Sequence, residues 1–220
     1  MRTAVLEGPA GSGKSTLAIH WAHRVQDRFP DGQLYVDLRG HHPASAPLSP
    51  VAALTRVLRA LGAGAEIPSD TDELSALFRS MIARRRLLIL LDNAVSPKQV
   101  EPLLPGGSGS LTVVTSRVRF DDFVARHGAA QVTVDRLRLD EALALLAQLV
   151  GHQRVANEPR AAEYLCRRCA GLPLAVRSSA VELLRRCHVP LAEAALQLEA
   201  ADSTVASTTW RSAVSSAAGH

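Results

Sequence analysis

The run Gly8-Pro9-Ala10-Gly11-Ser12-Gly13-Lys14-Ser15-Thr16 sets two glycines five residues apart, a lysine, and hydroxyls immediately after it, in the pattern GxxxxGK[ST]. Glycines let successive backbone N–H groups turn inward around phosphate oxygens, and a helix starting at the lysine aims its positive end at the same oxygens. Lys14 adds a mobile charge able to reach the β- and γ-phosphates. The Ser15 hydroxyl is a Mg²⁺ ligand of the right kind, and Ser12 or Thr16 can supply one more hydrogen bond to phosphate. A chance match in a chain of this composition is on the order of one in a thousand. The segment predicts a phosphate-binding P-loop for ATP or ADP with Mg²⁺.

Such a loop calls for a carboxylate on the metal side, at the end of a buried apolar strand. Leu87-Leu88-Ile89-Leu90-Leu91-Asp92 is the segment of that form, so Asp92 is expected beside Ser15 as the metal-side pair, with a cap for the following turn as the alternative. The next residue is Asn93, and an amide can orient a water but cannot take its proton. Arg117, after the apolar run 111–115, is a candidate to steady charge on a transferring phosphate, and a surface arginine is the competing reading. Lys14, Asp92 and Arg117 form the candidate catalytic set. Glu7, Asp37 and Arg39 fall at strand ends and rank second, since loop residues of these types are usually solvated.

The elements that would position these residues alternate between strand and helix. Strands are predicted over 3–7, 33–38, 87–91, 111–115 and 132–134, the third of them central. Helices are predicted over 15–27, with Leu17, Trp21 and Val25 on its apolar face, over 50–61 behind the pair Ser49-Pro50, and over 70–84. A short helix opens at Ser96-Pro97. Alternation of this kind predicts an α/β fold, a doubly wound parallel five-stranded sheet with ligands beyond the carboxyl ends of its strands. From residue 140 the pattern is helical only, over 140–150, 157–170, 173–187 and 190–201. The expected organisation is a P-loop domain over 1–135, a small all-helical domain over 136–201, and a tail or the start of a further domain over 202–220, around Trp210.

Composition narrows the function classes. At 220 residues the chain can hold an α/β domain of about 130 residues and a smaller helical one. Its apolar runs are too short for a membrane span and no export signal precedes the P-loop, so the cytoplasm is expected and no membrane partner. Net charge is +4, but 23 of the 25 basic residues are arginines spread along the chain, and aromatics are 4%. Direct nucleic-acid binding by this segment is not expected; Arg84-Arg85-Arg86 reads as a solvated helix end. Cys166, Cys169 and Cys187 make no disulfide framework. They could join His188 in a zinc site, but all lie in predicted helices, where packing is the better account.

The P-loop, Leu91-Asp92-Asn93-Ala94, Thr115-Ser116-Arg117 and Gly171-Leu172-Pro173-Leu174-Ala175, in that order, resemble the NB-ARC domain of STAND-class P-loop NTPases. The likeness spans residues 3–201 and is nearest to the bacterial modules of SARP-type transcriptional regulators. It implies a nucleotide-driven switch with slow hydrolysis, ADP holding a resting form and ATP an open one that joins other domains or protomers. It also implies that Pro173 packs against the adenine, while Gly171 and Pro173 are equally well explained as punctuation between two helices. The family carries a segment with a GRE-like motif ahead of the first strand. Only a few residues precede the P-loop here, so an incomplete base pocket and an isolated core are expected. Two other functions remain open: a binding-only scaffold, given Asn93, and a P-loop phosphotransferase, for which no Arg-rich lid is evident.

Overall fold

A computed structural model describes residues 2–41, 44–64 and 66–196. The chain divides into two compact units, the first ending at Asp135 and the second starting at Arg136. Trp210 and the predicted tail lie outside the described residues. Among the described residues, no helix is long and apolar enough to cross a membrane.

The first unit contains β1 (Arg2–Glu7), α1 (Lys14–Val25), β2 (Gln33–Asp37), α2 (Pro50–Ala60), α3 (Thr71–Ile82), β3 (Leu88–Ala94), α4 (Pro97–Val100), β4 (Leu111–Ser116), α5 (Asp121–His127) and β5 (Ala130–Thr133). All pairings in its sheet are parallel, in the order β2-β3-β4-β1-β5. The strand expected at the centre, β3, is internal, but the middle place belongs to β4. Successive side chains of a strand face opposite sides, and β3 shows it: Ile89 and Leu91 enter the larger core with Leu54, Leu58, Leu74, Phe78 and Phe123, while Leu88 and Leu90 join Leu6, Val113 and the α1 residues Ala18 and Ala22.

Two readings of the sequence need correcting. The buried face of α1 is Lys14, Ala18 and Ala22, whereas Leu17 and Trp21 are exposed. Small side chains let the helix lie close on the sheet, and the loop fixes its rotation more firmly than the bulkier apolar residues could. Helix α5, unassigned from the sequence, follows Phe120 with Asp121 and Asp122 in its first turn and Gly128 in the left-handed conformation at its end. Its Phe123 is fully buried.

The helix starts were legible. Ser49 accepts from the Ala52 amide, with Pro50 as the first residue of α2, and Asp70 accepts from the amides of Asp72 and Glu73 at α3.

The second unit contains α6 (Leu139–Val150), α7 (His152–Asn157), α8 (Pro159–Arg168) and α9 (Pro173–Arg185), with residues 191–196 also helical. The short α7 was not anticipated. Ala142, Leu146, Leu165, Cys166, Val176, Ala180 and Leu183 form its core. Burial, with Cys169 nearby, pushes the Cys166 thiol up to about 11; Cys187 is exposed. Half-buried polar side chains serve the helix ends. Arg154 donates to the carbonyls of Leu183, Arg186 and Val189, and the Glu158 carboxylate accepts from the amides of Leu191 and Ala192. At Gly171 the backbone has φ 67°, and a Cβ would stand 2.3 Å from the Leu137 carbonyl oxygen. The Leu137 amide donates to the Gly171 carbonyl at 2.7 Å. Close approach of two chain segments thus requires this glycine.

Candidate functional site

Residues 8–13 leave the carboxyl end of β1 and turn into α1, with Gly13 as N-cap at φ 92°. Neighbouring β1 are β4 and β5, so the turn opens where the strand order reverses, the usual binding crevice of an open α/β sheet. Gly8 has φ 155°, and a Cβ there would lie 2.1 Å from the Val134 carbonyl oxygen. The first amides of α1 have no acceptor within their own helix. Ser12 is 5% exposed and its hydroxyl oxygen lacks a hydrogen-bond partner. Lys14 is also buried, its ammonium donating to the carbonyls of Gly8 (2.9 Å) and Pro9 (2.7 Å). Burial, and then the positive charge of Arg117, lower its pKa below 10.5 against the opposing pull of Asp92. Thr16 and Ala10 are exposed, and Arg117 is exposed just past β4.

Asp92 does not follow its strand but lies within it, because β3 continues to Ala94 through a bulge. Leu91 pairs with Val114 and Ala94 with Ser116, which leaves Asp92 and Asn93 opposite Thr115 alone. Asn93 takes up the extra residue at φ 59°, a left-handed value that asparagine tolerates better than most residues. The Thr115 hydroxyl fills the gap in the ladder. It accepts from the Asn93 amide at 2.9 Å and donates to Asp92 Oδ1.

Two more hydroxyls converge on this carboxylate. Ser15 Oγ donates to Oδ1 at 2.7 Å, and the Tyr35 hydroxyl to Oδ2 at 3.0 Å. Asp92 is 7% exposed, so hydrogen-bond donors replace the water it has lost. The hydroxyl of Ser15 and the carboxylate of Asp92 are the hard oxygen donors a Mg²⁺ ion takes.

Lys14, Ser15, Asp92 and Arg117 therefore share one edge of the first unit. Pro173 belongs to the second unit, as the first residue of α9. Among the second-rank residues, Glu7 is a fastener: its two oxygens accept from the Phe120 amide and the Gln131 side chain, both at 2.7 Å. Asp37 accepts from the Arg39 amide. Two residues escaped the sequence reading, Tyr35 and the hydroxyl of Thr115.

The profile of the NB-ARC domain matches residues 2–156. The chain belongs to the NB-ARC family. Over 187 residues, 84% of its length, it is 47% identical to the regulatory protein AfsR of Streptomyces coelicolor and 46% identical to that of Streptomyces griseus. It spans only 18% and 19% of those two relatives. In fold, this NB-ARC chain resembles a Walker-type ATPase of Pyrococcus abyssi, with TM-score 0.54 and 13% identity over 95% of this chain and 70% of that one. A STAND protein with a tetratricopeptide repeat sensor from Pyrococcus horikoshii gives TM-score 0.53 and 20% identity, over 79% of this chain and 26% of that one. The fold is thus that of a P-loop NTPase.

Proposed function

We propose that this chain is an ATP/ADP-binding switch module that holds its nucleotide with Mg²⁺ at residues 8–16, hydrolyses ATP slowly, and serves a larger regulator. The contact between Ser15 and Asp92 carries this reading, because it joins the head of α1 to an acid on β3 beside Lys14. In that role Lys14 exchanges the carbonyls of Gly8 and Pro9 for phosphate oxygens. Ser12, whose buried oxygen has no partner, donates to a phosphate, as do the first amides of α1. Ser15 and Asp92 hold the metal, which when bound neutralises charge on the β- and γ-phosphates. Arg117 steadies charge on the terminal phosphate, and Pro173 lies against the adenine. The regulatory setting rests on the names of the curated relatives, in which such a module occupies about a fifth of the chain. Other domains or protomers of that regulator are the partners.

The test is calorimetry with ADP and Mg²⁺ on wild type and Lys14→Ala, with circular dichroism to confirm folding. Binding should vanish in the variant; unchanged affinity would remove the assignment.

A second reading, binding without hydrolysis, is favoured by Asn93, which occupies the position after Asp92 and cannot accept a proton. The bulge gives another reason for an asparagine there, since the left-handed backbone selects it. Aspartate tolerates the same backbone, so Asn93→Asp separates the two explanations. A large rise in ATP turnover would mean that only the missing base holds hydrolysis back.

A further inference from the structure

Asp92 is gripped from three elements: by Ser15 at the head of α1, by Thr115 on β4 and by Tyr35 on β2. The first two share Oδ1, whereas Tyr35 alone among these donors reaches Oδ2. Strand register explains how it gets there. Tyr35 pairs with Leu90 and Asp37 with Asp92, so Tyr35 and Asp92 lie on the same sheet face, diagonal to one another across the β2–β3 ladder. That face also carries Thr115, two residues beyond the Val113 that packs with Leu90. The ring does little packing, because Tyr35 is 55% exposed on an edge strand. Its fixed feature is the hydroxyl on the carboxylate. A carboxylate offers about four lone-pair sites, of which three hydroxyls leave about one, on Oδ2.

We propose that Tyr35 is a positioning residue for the metal. By donating to Oδ2 it fixes the plane of the Asp92 carboxylate and leaves one lone-pair direction for Mg²⁺ or a water on it. The inference rests on the nucleotide-and-metal reading above and adds to it a residue outside the P-loop and the β3 acid. Without Tyr35 the carboxylate keeps both hydroxyls on Oδ1 but turns about them, and the metal meets an acceptor whose direction is no longer set. Nucleotide binding through Lys14 and the α1 amides is untouched by this change.

The experiment compares the full chain with Tyr35→Phe, which keeps the ring and removes only the donor. ADP affinity is measured by calorimetry in excess chelator and then across a Mg²⁺ series. The variant should bind metal-free ADP as the wild type does, and its gain in affinity on adding Mg²⁺ should fall by about tenfold, the effect of losing one hydrogen bond to a charged group. Combined with Asp92→Asn, Tyr35→Phe should cause no further loss, since its effect passes through that carboxylate. An unchanged Mg²⁺ response overturns the inference. So does an equal loss with and without metal, the mark of simple structural support, and so does a full additional loss in the Asp92→Asn background. If the wild type binds no ADP under either condition, the nucleotide reading falls and this inference with it.

Discussion

Two sets of polar side chains, one in each unit, are used in opposite ways. In the helical unit, Arg154 and Glu158 turn to main-chain groups, two carbonyls at the end of α9 and that of Val189 beyond it, and two amides opening the last helical stretch. In the sheet unit, Ser15, Tyr35 and Thr115 turn to one another's common acceptor, Asp92, while Ser12 keeps an unanswered hydroxyl. Polar groups that satisfy helix ends stabilise a fold. Polar groups that converge on a point where most of them serve no backbone group mark a place kept for something else.

The sharpest way to break this contrast is through the two glycines. Gly8→Ala and Gly171→Ala should each destabilise its own unit by about 3 kcal/mol or more, since each adds a Cβ inside van der Waals distance of a carbonyl oxygen. Thermal unfolding reads the loss. Calorimetry with ADP separates the units: binding should disappear with Gly8→Ala, and with Gly171→Ala it should only weaken, through the proposed contact of Pro173. Equal losses would dissolve the contrast and strengthen the proposed contact of Pro173 with the adenine.

Two hydrogen-bond deletions of similar size come next. Thr115→Val strands the Asn93 amide and removes a donor from Asp92, which should cost about 2 kcal/mol and weaken the response to Mg²⁺. Arg154→Met removes three bonds, two to the end of α9 and one to the Val189 carbonyl, and should also cost about 2 kcal/mol, with nucleotide affinity unchanged. Urea midpoints and calorimetry check both. Glu158→Gln, which loses the charge and one of the two acceptor oxygens, should cost about 1 kcal/mol.

The smallest effect is one of pH. The pKa of Lys14 is lowered in the fold, so the unfolded chain holds that proton more tightly, and between the lowered value and 10.5 folding stability gains as pH rises. Nucleotide affinity should move the other way over the same alkaline range, as the neutral amine loses its attraction for phosphate. Arg117→Ala should carry that decline to higher pH, because Arg117 is one cause of the lowering. A decline unmoved by Arg117→Ala would separate that arginine from the site.

What the sequence made legible was what depends on residue type at short spacing. The phosphate loop, the apolar run into Asp92, the cap Ser49, and the pair Gly171 and Pro173 all follow from neighbours within a few positions. What it hid depends on which strand lies beside which. Tyr35 reaches Asp92 only because β2 borders β3 in a register that sets the two diagonally. Thr115 matters only because one residue too many sits across from it on β3. The face of α1 was misread for the same reason: helical spacing groups Leu17 with Trp21, but the loop and the closeness of the sheet turn Ala18 and Ala22 inward. Glu7 looked like a site residue by position, and its two oxygens prove to hold the Phe120 amide and Gln131.

The close approach at Gly8 has a consequence for anyone who would transplant this loop. Its nine residues look like a self-contained cassette, yet the peptide at Val134 presses on Gly8 through its carbonyl oxygen, and its amide donates to the Glu7 carbonyl. The transferable part is therefore discontinuous: residues 8–16 together with a stretch of chain more than a hundred positions downstream. A host scaffold that supplies the strand and the helix but not that second peptide would receive the letters of the motif without the wall that shapes its first turn.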